Sequence, residues 1–405
     1  MLDVFREAPT GLGRRNLLVG AAAAAFSATF APPLPDSAAA KRRVSYFPPP
    51  ESAGGWRRLV GTDQEPSLGE QAEIRRLAGI DWPTLTRAFA FSESFGARSA
   101  LLVIRRGWIA GEWGPTTPYF TASISKSLTG LVVARLFEVS RTMRWGKVLG
   151  PNTPAFELLP ASFAARDARR RKIRLAHLLS MTSGLEPDDA PYRPDYGLER
   201  ILDRPLLAEP GTVWAYCSAT ADLLGLAVQT RIGRSVSAIF NEEIGARIGM
   251  APIAWDSSAG LDRACCAARV AARDLARIGW LLLAQGRWGT VGRDERILAP
   301  KTVRLLSRPS KLARRARFAP TPNSPFPIEP SSPLAYAKLW WTNATGTMLG
   351  PSVPRDAFYA HGFRENLLVV VPSLELVVVR LGFEPEVEPT FRRELMARVM
   401  AALVD

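Results

Sequence analysis

Ser123 and Lys126 stand three residues apart in the segment YFTASISKSLTGLVVARLF (119–137), which opens on small polar residues and continues with apolar positions at Leu128, Leu131, Val132 and Leu136. That pattern predicts a helix beginning near Ser123. On a helix, residues i and i+3 share a face, so the hydroxyl and the amine can meet. Free N–H groups and the dipole at a helix N-terminus also favour developing negative charge. A serine hydroxyl becomes a useful nucleophile only when a neighbour takes its proton. A lysine can do this when burial lowers its pKa from the unperturbed ~10.4, whereas an arginine, above ~12, cannot. The chain holds seven lysines against 45 arginines, and of the seven only Lys126 follows a serine by three. Taken alone the pair is weak evidence, since a solvated lysine near a helix end gives the same pattern. A third group comes from PGTVWAYCSATADLLG (210–225), read as a turn, a short extended piece and a helix from Ala219. Tyr216 falls at the loop-to-helix junction. There a phenol can project into a cleft and shuttle protons beside a lysine, or pack as an ordinary aromatic.

The elements that must position these groups divide by place in the chain. SALLVI (99–104) and WIAGEW (108–113) flank Arg105-Arg106-Gly107, and NLLVVV (366–371) and ELVVVRL (375–381) flank Pro372-Ser373-Leu374. Both are hairpin signals built on β-formers. A final helix is expected from Pro389 to about Val404. Between about 145 and 310 the pattern is mostly helical, with helices expected over 174–181, 219–232, 237–248, 271–284 and 300–306. The expected fold class is α+β: an antiparallel sheet made by the two ends (41–145 and 301–405), flanked by helices, with a mostly helical region (146–300) inserted. The run RDARRRKIR (166–174) reads as a solvated connector, and 319–333 as a Pro/Ser-rich loop.

With these motifs in order, the chain resembles the serine β-lactamase-related hydrolases, the superfamily of class C β-lactamases, D-alanyl-D-alanine carboxypeptidases and certain esterases. Tyr216-Cys217-Ser218 is closest in flavour to the 6-aminohexanoate-dimer hydrolase-like branch. Ser-x-x-Lys is the first motif of that superfamily. IRLAHLLSMTSGL (173–185) resembles its signature helix and turn, with Met181 where histidine is common. PGTVWAYCSATADLLG resembles the second motif. AARDLARIGWLLLAQGRW (271–288), AYAKLWW (335–341) and FYAHGFRENLLVVVPSLELVVV (358–379) resemble further recurring segments. The resemblance implies Ser123 as acylated nucleophile, Lys126 as its base and Tyr216 as proton relay. It implies an oxyanion hole from the N–H groups of Ser123 and Phe363, next to Gly362. Three departures qualify this. Ser218 replaces an asparagine, which weakens grip on an acylamino side chain. The third motif lacks Lys-Thr-Gly, and Arg364-Glu365-Asn366 follows it. His361 stands either where the family binds substrate carboxylate or as a strand histidine with a structural hydrogen bond. His177 reads as structural and Cys217 as a buried thiol. Adjacent Cys265 and Cys266 are expected to form no essential disulfide. The implied activity is hydrolysis of small esters or amides, with a peptide-like substrate also open. The alternative is a catalytically weak penicillin-binding or peptidoglycan-fragment-sensing protein.

Composition narrows the partners. The 405 residues are 47% hydrophobic and 22% charged, as in folded globular proteins. Two histidines and three cysteines without a Cys-x-x-Cys pair suggest no metal site, and no cofactor is expected. Arg14-Arg15, an alanine-rich stretch and Ala38-Ala39-Ala40 lay out residues 1–40 as a twin-arginine signal peptide. The protein is thus expected in the periplasm or secreted, with an uncleaved membrane anchor as the other reading. Net charge is +14 with the signal and stays +14 without it. The excess is spread along the chain and reads as compositional. Nucleic acid is not expected as a partner, whereas peripheral contact with an anionic envelope is.

Overall fold

The structure is a computed structural model. It describes residues 44–404, except 97, 141, 143–147, 188–190, 192–195, 259, 291–292, 323, 325–327 and 383–389. The expected signal at 1–40 and Pro389 lie outside the described residues.

Six strands make the main sheet: β1 (Ala100–Arg105), β2 (Trp108–Trp113), β3 (Trp341–Thr342), β4 (Phe358–Gly362), β5 (Asn366–Val371) and β6 (Leu376–Leu381). Their order is β3-β4-β5-β6-β1-β2, antiparallel throughout, so the two expected hairpins join through β6 and β1 with Val103 opposite Val378. Chain ends far apart in sequence thus build one sheet. The helices that matter here are α1 (Trp82–Glu93), α2 (Ile124–Val139), α3 (Ser218–Ile232), α4 (Ala272–Leu283), α5 (Pro300–Ser307), α6 (Lys311–Arg315) and α7 (Phe391–Ala401).

Both faces of the sheet are covered, which explains why β5 and β6 read as near-continuous apolar runs and are buried along their whole length. On one face α4 lies close at Gly279, where a Cβ would sit 2.9 Å from Leu368 and Val377. On the other face, α1 and α7 pack together through Phe91 and Phe391. Trp82 and Phe89 of α1 stack on Trp113 of β2.

The described residues form one compact unit, the inserted region included. That region is less uniformly helical than its pattern suggests. It holds short strands at Ala254–Trp255, Leu261–Asp262, Ala268–Val270 and Arg287–Thr290. The expected 237–248 helix is an α-turn to Phe240, a π-helical stretch over Asn241–Gly245 and a 3₁₀ turn over Ala246–Ile248. α4, grouped with the insert by its position in sequence, packs on the sheet. The 166–174 run is not a wholly solvated connector: Arg170 is fully buried, and its guanidinium donates to the carbonyls of Phe163, Leu202 and Arg204. A planar fork of donors satisfies several chain-end carbonyls at once, so a run of cations can contain a core residue.

Asp274 in the first turn of α4 is buried, 3.7 Å from Arg277 Nε, and burial pushes its carboxyl up to about 6 despite that neighbour. Between pH ~4 and ~6 the folded state therefore keeps a proton that the unfolded chain, with an Asp pKa near ~3.9, has released. Stability should fall as pH rises through that window. Asp274→Asn should remove most of this slope and stabilise the protein above pH ~6 by roughly 2–3 kcal/mol at most. Urea denaturation across the window measures both effects.

Candidate active site

Ser123 is presented by a tight turn between a strand and a helix. Tyr119 and Phe120 pair with Val270 and Arg269. Thr121 then donates both its N–H and its hydroxyl to the carbonyl of Ala268, at 2.9 and 2.8 Å. Ala122 adopts φ +48°, an unusual conformation for a residue with a Cβ, and Ser123 starts α2 directly after it. Ser125 locks the turn, donating to Ala122 O at 2.7 Å and accepting from Ala268 N at 2.9 Å. The backbone of 264–268 therefore runs as a strap along the first turns of α2, where Thr129 also donates to Ala264 O at 2.8 Å.

Lys126 meets Ser123 as the i, i+3 spacing requires: Nζ lies 2.8 Å from Ser123 Oγ and 3.0 Å from the Cys265 carbonyl. It also sits 5.0 Å from the centre of the Tyr216 ring. Ser123 keeps 7% of its surface exposed and Lys126 1%, so both are buried, the amine the more completely. Tyr216, also 1% exposed, stacks on Trp341 of β3 and meets Tyr336 edge-on, with ring centres 6.0 and 6.5 Å apart. The Pro/Ser-rich loop reaches the same place, where Thr321 donates to the Tyr216 carbonyl at 2.8 Å.

β4 closes the other side. A Cβ on Gly362 would lie 2.3 Å from Thr121 O and 3.3 Å from Ser123 N, so the strand backbone runs directly against the serine amide. Phe363 follows, and Arg364 and Glu365 turn the chain through positive φ. Asn366 ties that turn down, with Nδ2 donating to Phe363 O at 2.9 Å and Oδ1 accepting from Gly382 N at 2.8 Å. Side chains alternate along a strand. With the Gly362 position facing Ser123, His361 projects to the opposite face, where Nε2 lies 3.1 Å from Glu365 Oε1. Glu365 also takes Arg392 of α7 at 2.9 Å. Burial raises the Glu365 carboxyl, but His361 and Arg392 outweigh it and hold the group below its ordinary value. The Glu365 contact is the structural hydrogen bond that one of the two readings of His361 expects.

Ser123, Lys126, Tyr216 and Gly362 thus converge, with Phe363 next along the chain. Ser218 is fully buried in the first turn of α3. Met181 has φ +57° and accepts from Thr220 Oγ1 through its sulfur at 2.9 Å, and its carbonyl holds Ala215 N. His177 caps its own short helix, Nδ1 accepting from Arg174 N at 3.2 Å, and burial lowers its pKa. Cys217 is buried. Cys265 and Cys266, expected to form no essential disulfide, are bridged in this structure.

One residue that sequence reasoning passed over stands behind the lysine. Asp222 of α3 is buried, accepts from Cys265 N at 2.9 Å and from Tyr196 OH at 2.6 Å, and so fixes the carbonyl that receives Lys126. Burial raises its pKa, while those two donors and the Lys126 charge pull the other way. The signal was present as a lone acid in the otherwise uncharged stretch ATADLLGLAV. An open cavity of about 640 Å³ lined by Thr62, Asp63, Glu93 and Arg273 includes none of these groups.

An antiparallel sheet covered by helices, with a Ser-x-x-Lys helix start wedged between its β4 end and the inserted region, defines a β-lactamase/transpeptidase-like fold. The family model described as Beta-lactamase matches residues 95–397, and the chain belongs to that family. Among solved structures it is similar to a protein assigned as a beta-lactamase from Bacteroides dorei DSM 17855, with TM-score 0.61, 18% identity, and 80% of this chain and 99% of the other covered. It is also similar to one assigned as a 6-aminohexanoate-dimer hydrolase from Bacillus anthracis, with TM-score 0.60, 17% identity, and 89% and 88% covered. A family VIII carboxylesterase matches with TM-score 0.55 and 16% identity over 79% and 96%. A search of curated protein sequences gives no match.

Gly362→Ala should be severe for so small a change, because the new Cβ meets the Thr121 carbonyl, a backbone atom of the turn that carries Ser123. A clearly lowered thermal midpoint, with loss of any turnover of a chromogenic ester, is the expected outcome, because the backbone atom that the new Cβ meets cannot move aside cheaply.

Proposed function

We propose that the protein is a serine hydrolase that cleaves small esters or amides through a covalent acyl-enzyme on Ser123. The observation that carries this reading is the 2.8 Å contact between Ser123 Oγ and a buried Lys126 Nζ. In the neutral state the amine accepts the serine proton as Oγ bonds to the substrate carbonyl carbon. The tetrahedral oxyanion forms beside the N–H groups of Ser123 and Phe363. The carbon–leaving-group bond then breaks, the leaving group takes a proton from the Lys126–Tyr216 pair, and the acyl group stays on Oγ. Water attacks that ester in the second half, losing its proton to the same pair and releasing the acid. Esters and simple amides suit the site better than β-lactams, because Ser218 is buried and short and His361 is engaged by Glu365. By its leader-like first forty residues, the protein would act in the periplasm or outside the cell.

Intact-protein mass spectrometry with p-nitrophenyl esters, a cephalosporin and a fluorophosphonate probe tests the proposal. Wild type should gain one acyl or phosphonyl mass at Ser123, and Ser123→Ala should gain none. Full turnover by that variant would remove the nucleophile assignment. Lys126→Arg keeps the charge but loses the titratable base, and should lower kcat/KM by about 10²–10⁴-fold. An adduct that forms slowly and never turns over with any ester or amide would favour the penicillin-binding, fragment-sensing reading instead.

Asp222→Asn keeps the shape but loses the carboxylate behind Lys126. We expect kcat to fall about 10-fold or more, with a shifted basic-side pH dependence and little change in KM. A change in thermal midpoint alone, with an unaltered pH profile, would make Asp222 merely structural.

A further inference from the structure

The basic excess is spread along the sequence, but its pairing is not. Many surface arginines are matched, as in Arg166–Asp203, Arg169–Asp167, Arg247–Glu295 and Arg398–Glu394. From Arg296 to Ile328, however, the chain carries eight basic residues and no acidic one. α5 is two-faced: Thr302, Val303 and Leu306 are buried, whereas Lys301, Arg304 and Leu305 share the outward face at i, i+3 and i+4, with Arg308 exposed at the helix end. α6 repeats the arrangement, with Ala313 buried and Lys311, Arg314 and Arg315 exposed, and Arg317 exposed just beyond. None of these seven side chains makes an ion pair or hydrogen bond among the described residues. Amid them Leu305 is 52% exposed, and Leu334, in the turn that packs against α6, is 46% exposed.

We propose that the exposed sides of α5 and α6 together form a docking surface for an anionic phospholipid bilayer. Clusters of about four to eight Lys and Arg on an amphipathic helix are attracted by the negative surface of such a membrane. Because these seven cations have no ion-pair or hydrogen-bond partner among the described residues, headgroup phosphates can pair with them without breaking a described ion pair. The exposed leucine decides between anionic partners. An apolar side chain projecting from a ring of cations can enter the headgroup–acyl boundary. A nucleic acid would instead be met by exposed aromatics for stacking or by side chains reaching base edges, and residues 300–318 present no exposed aromatic.

The test is co-sedimentation of the full chain with vesicles of phosphatidylglycerol in phosphatidylcholine, against phosphatidylcholine alone. It compares a variant carrying Lys301→Glu, Arg304→Glu, Arg308→Glu and Lys311→Glu with a charge-matched one carrying Arg87→Glu, Arg98→Glu, Arg171→Glu and Arg355→Glu. The expected result is binding to the anionic vesicles only. It should be lost by about tenfold or more in the first variant and kept within about twofold in the second, with similar thermal midpoints. Leu305→Ser should weaken binding several-fold without changing its salt dependence. Equal losses in the two variants would show diffuse attraction by net charge and overturn the proposal. So would absence of binding to anionic vesicles, or displacement of the protein from them by an equal concentration of duplex DNA.

Discussion

The arrangement turns on one hydrogen bond, from the Lys126 amine to the Ser123 hydroxyl, and on the backbone strap that keeps both ends of it still. The first turns of α2 are buried yet polar, which would be costly if their groups were unmet. They are met by main chain. Thr121, Lys126 and Thr129 donate to the carbonyls of Ala268, Cys265 and Ala264, while Ser125 accepts from Ala268 N. Each contact is short, and together they fix the helix against a segment some 140 residues away in sequence. A buried polar network of this kind specifies one register, since a slip of one residue would orphan several groups at once. Asp222 extends the same logic one layer outward by holding the N–H of Cys265.

The sheet supplies the second constraint. Among the described residues β3 pairs with β4 only at Phe358 and Tyr359, so on that side the β4 backbone at its Gly362 end is open to face the serine amide. That close approach needs a residue without a side chain on the inner face, and glycine meets the need. The outer face is where the altered third motif is accommodated: His361, Glu365 and Arg392 form a buried charged cluster between β4 and α7. Removing Glu365 or Arg392 would leave the other's charge unpaired in the interior, a far larger cost than the pair's net contribution. The bulky Arg364-Glu365-Asn366 run is therefore compatible with the strand end because the positive-φ turn sends Glu365 back under the sheet and Asn366 ties down the turn itself.

What was legible in the sequence follows from the range of the interactions involved. Ser123 with Lys126, both hairpins, the short reach of α3 and the junction at Tyr216 are local patterns of spacing and turn chemistry, and the structure has them within a residue or two. The strap was not legible, because its hydrogen bonds use carbonyls, which every residue has. Nor was the left-handed conformation of Ala122, which side-chain chemistry does not announce. The 237–248 stretch has helical periodicity but changes its pitch to seat Ile244 and Ile248 in the core. Arg170 looked solvated because it sits in a basic run, yet burial is decided by which carbonyls need donors.

Arginine and lysine divide the chemistry between them, which bears on how the composition should be read. Arg170, Arg277 and Arg380 are almost wholly buried and donate chiefly to carbonyls: Arg277 to Pro48, Pro49 and Ile248, and Arg380 to Arg364. The fork of a guanidinium answers several acceptors at once and stays charged in the interior. An amine also meets several acceptors, but burial can lower its pKa into a range where it gives up a proton. Two lysines are set into hydroxyl environments. Lys126 meets Ser123, and Lys338 donates to Ser180 and Ser310 at 2.5 and 3.1 Å, where burial lowers its pKa to about 8. Lys338 belongs to the segment that carries Tyr336 and Trp341, the rings against Tyr216. At these two positions a guanidinium would have to fit among buried hydroxyls, whereas Lys172, Lys301 and Lys311 stand on the surface, where an arginine would serve as well.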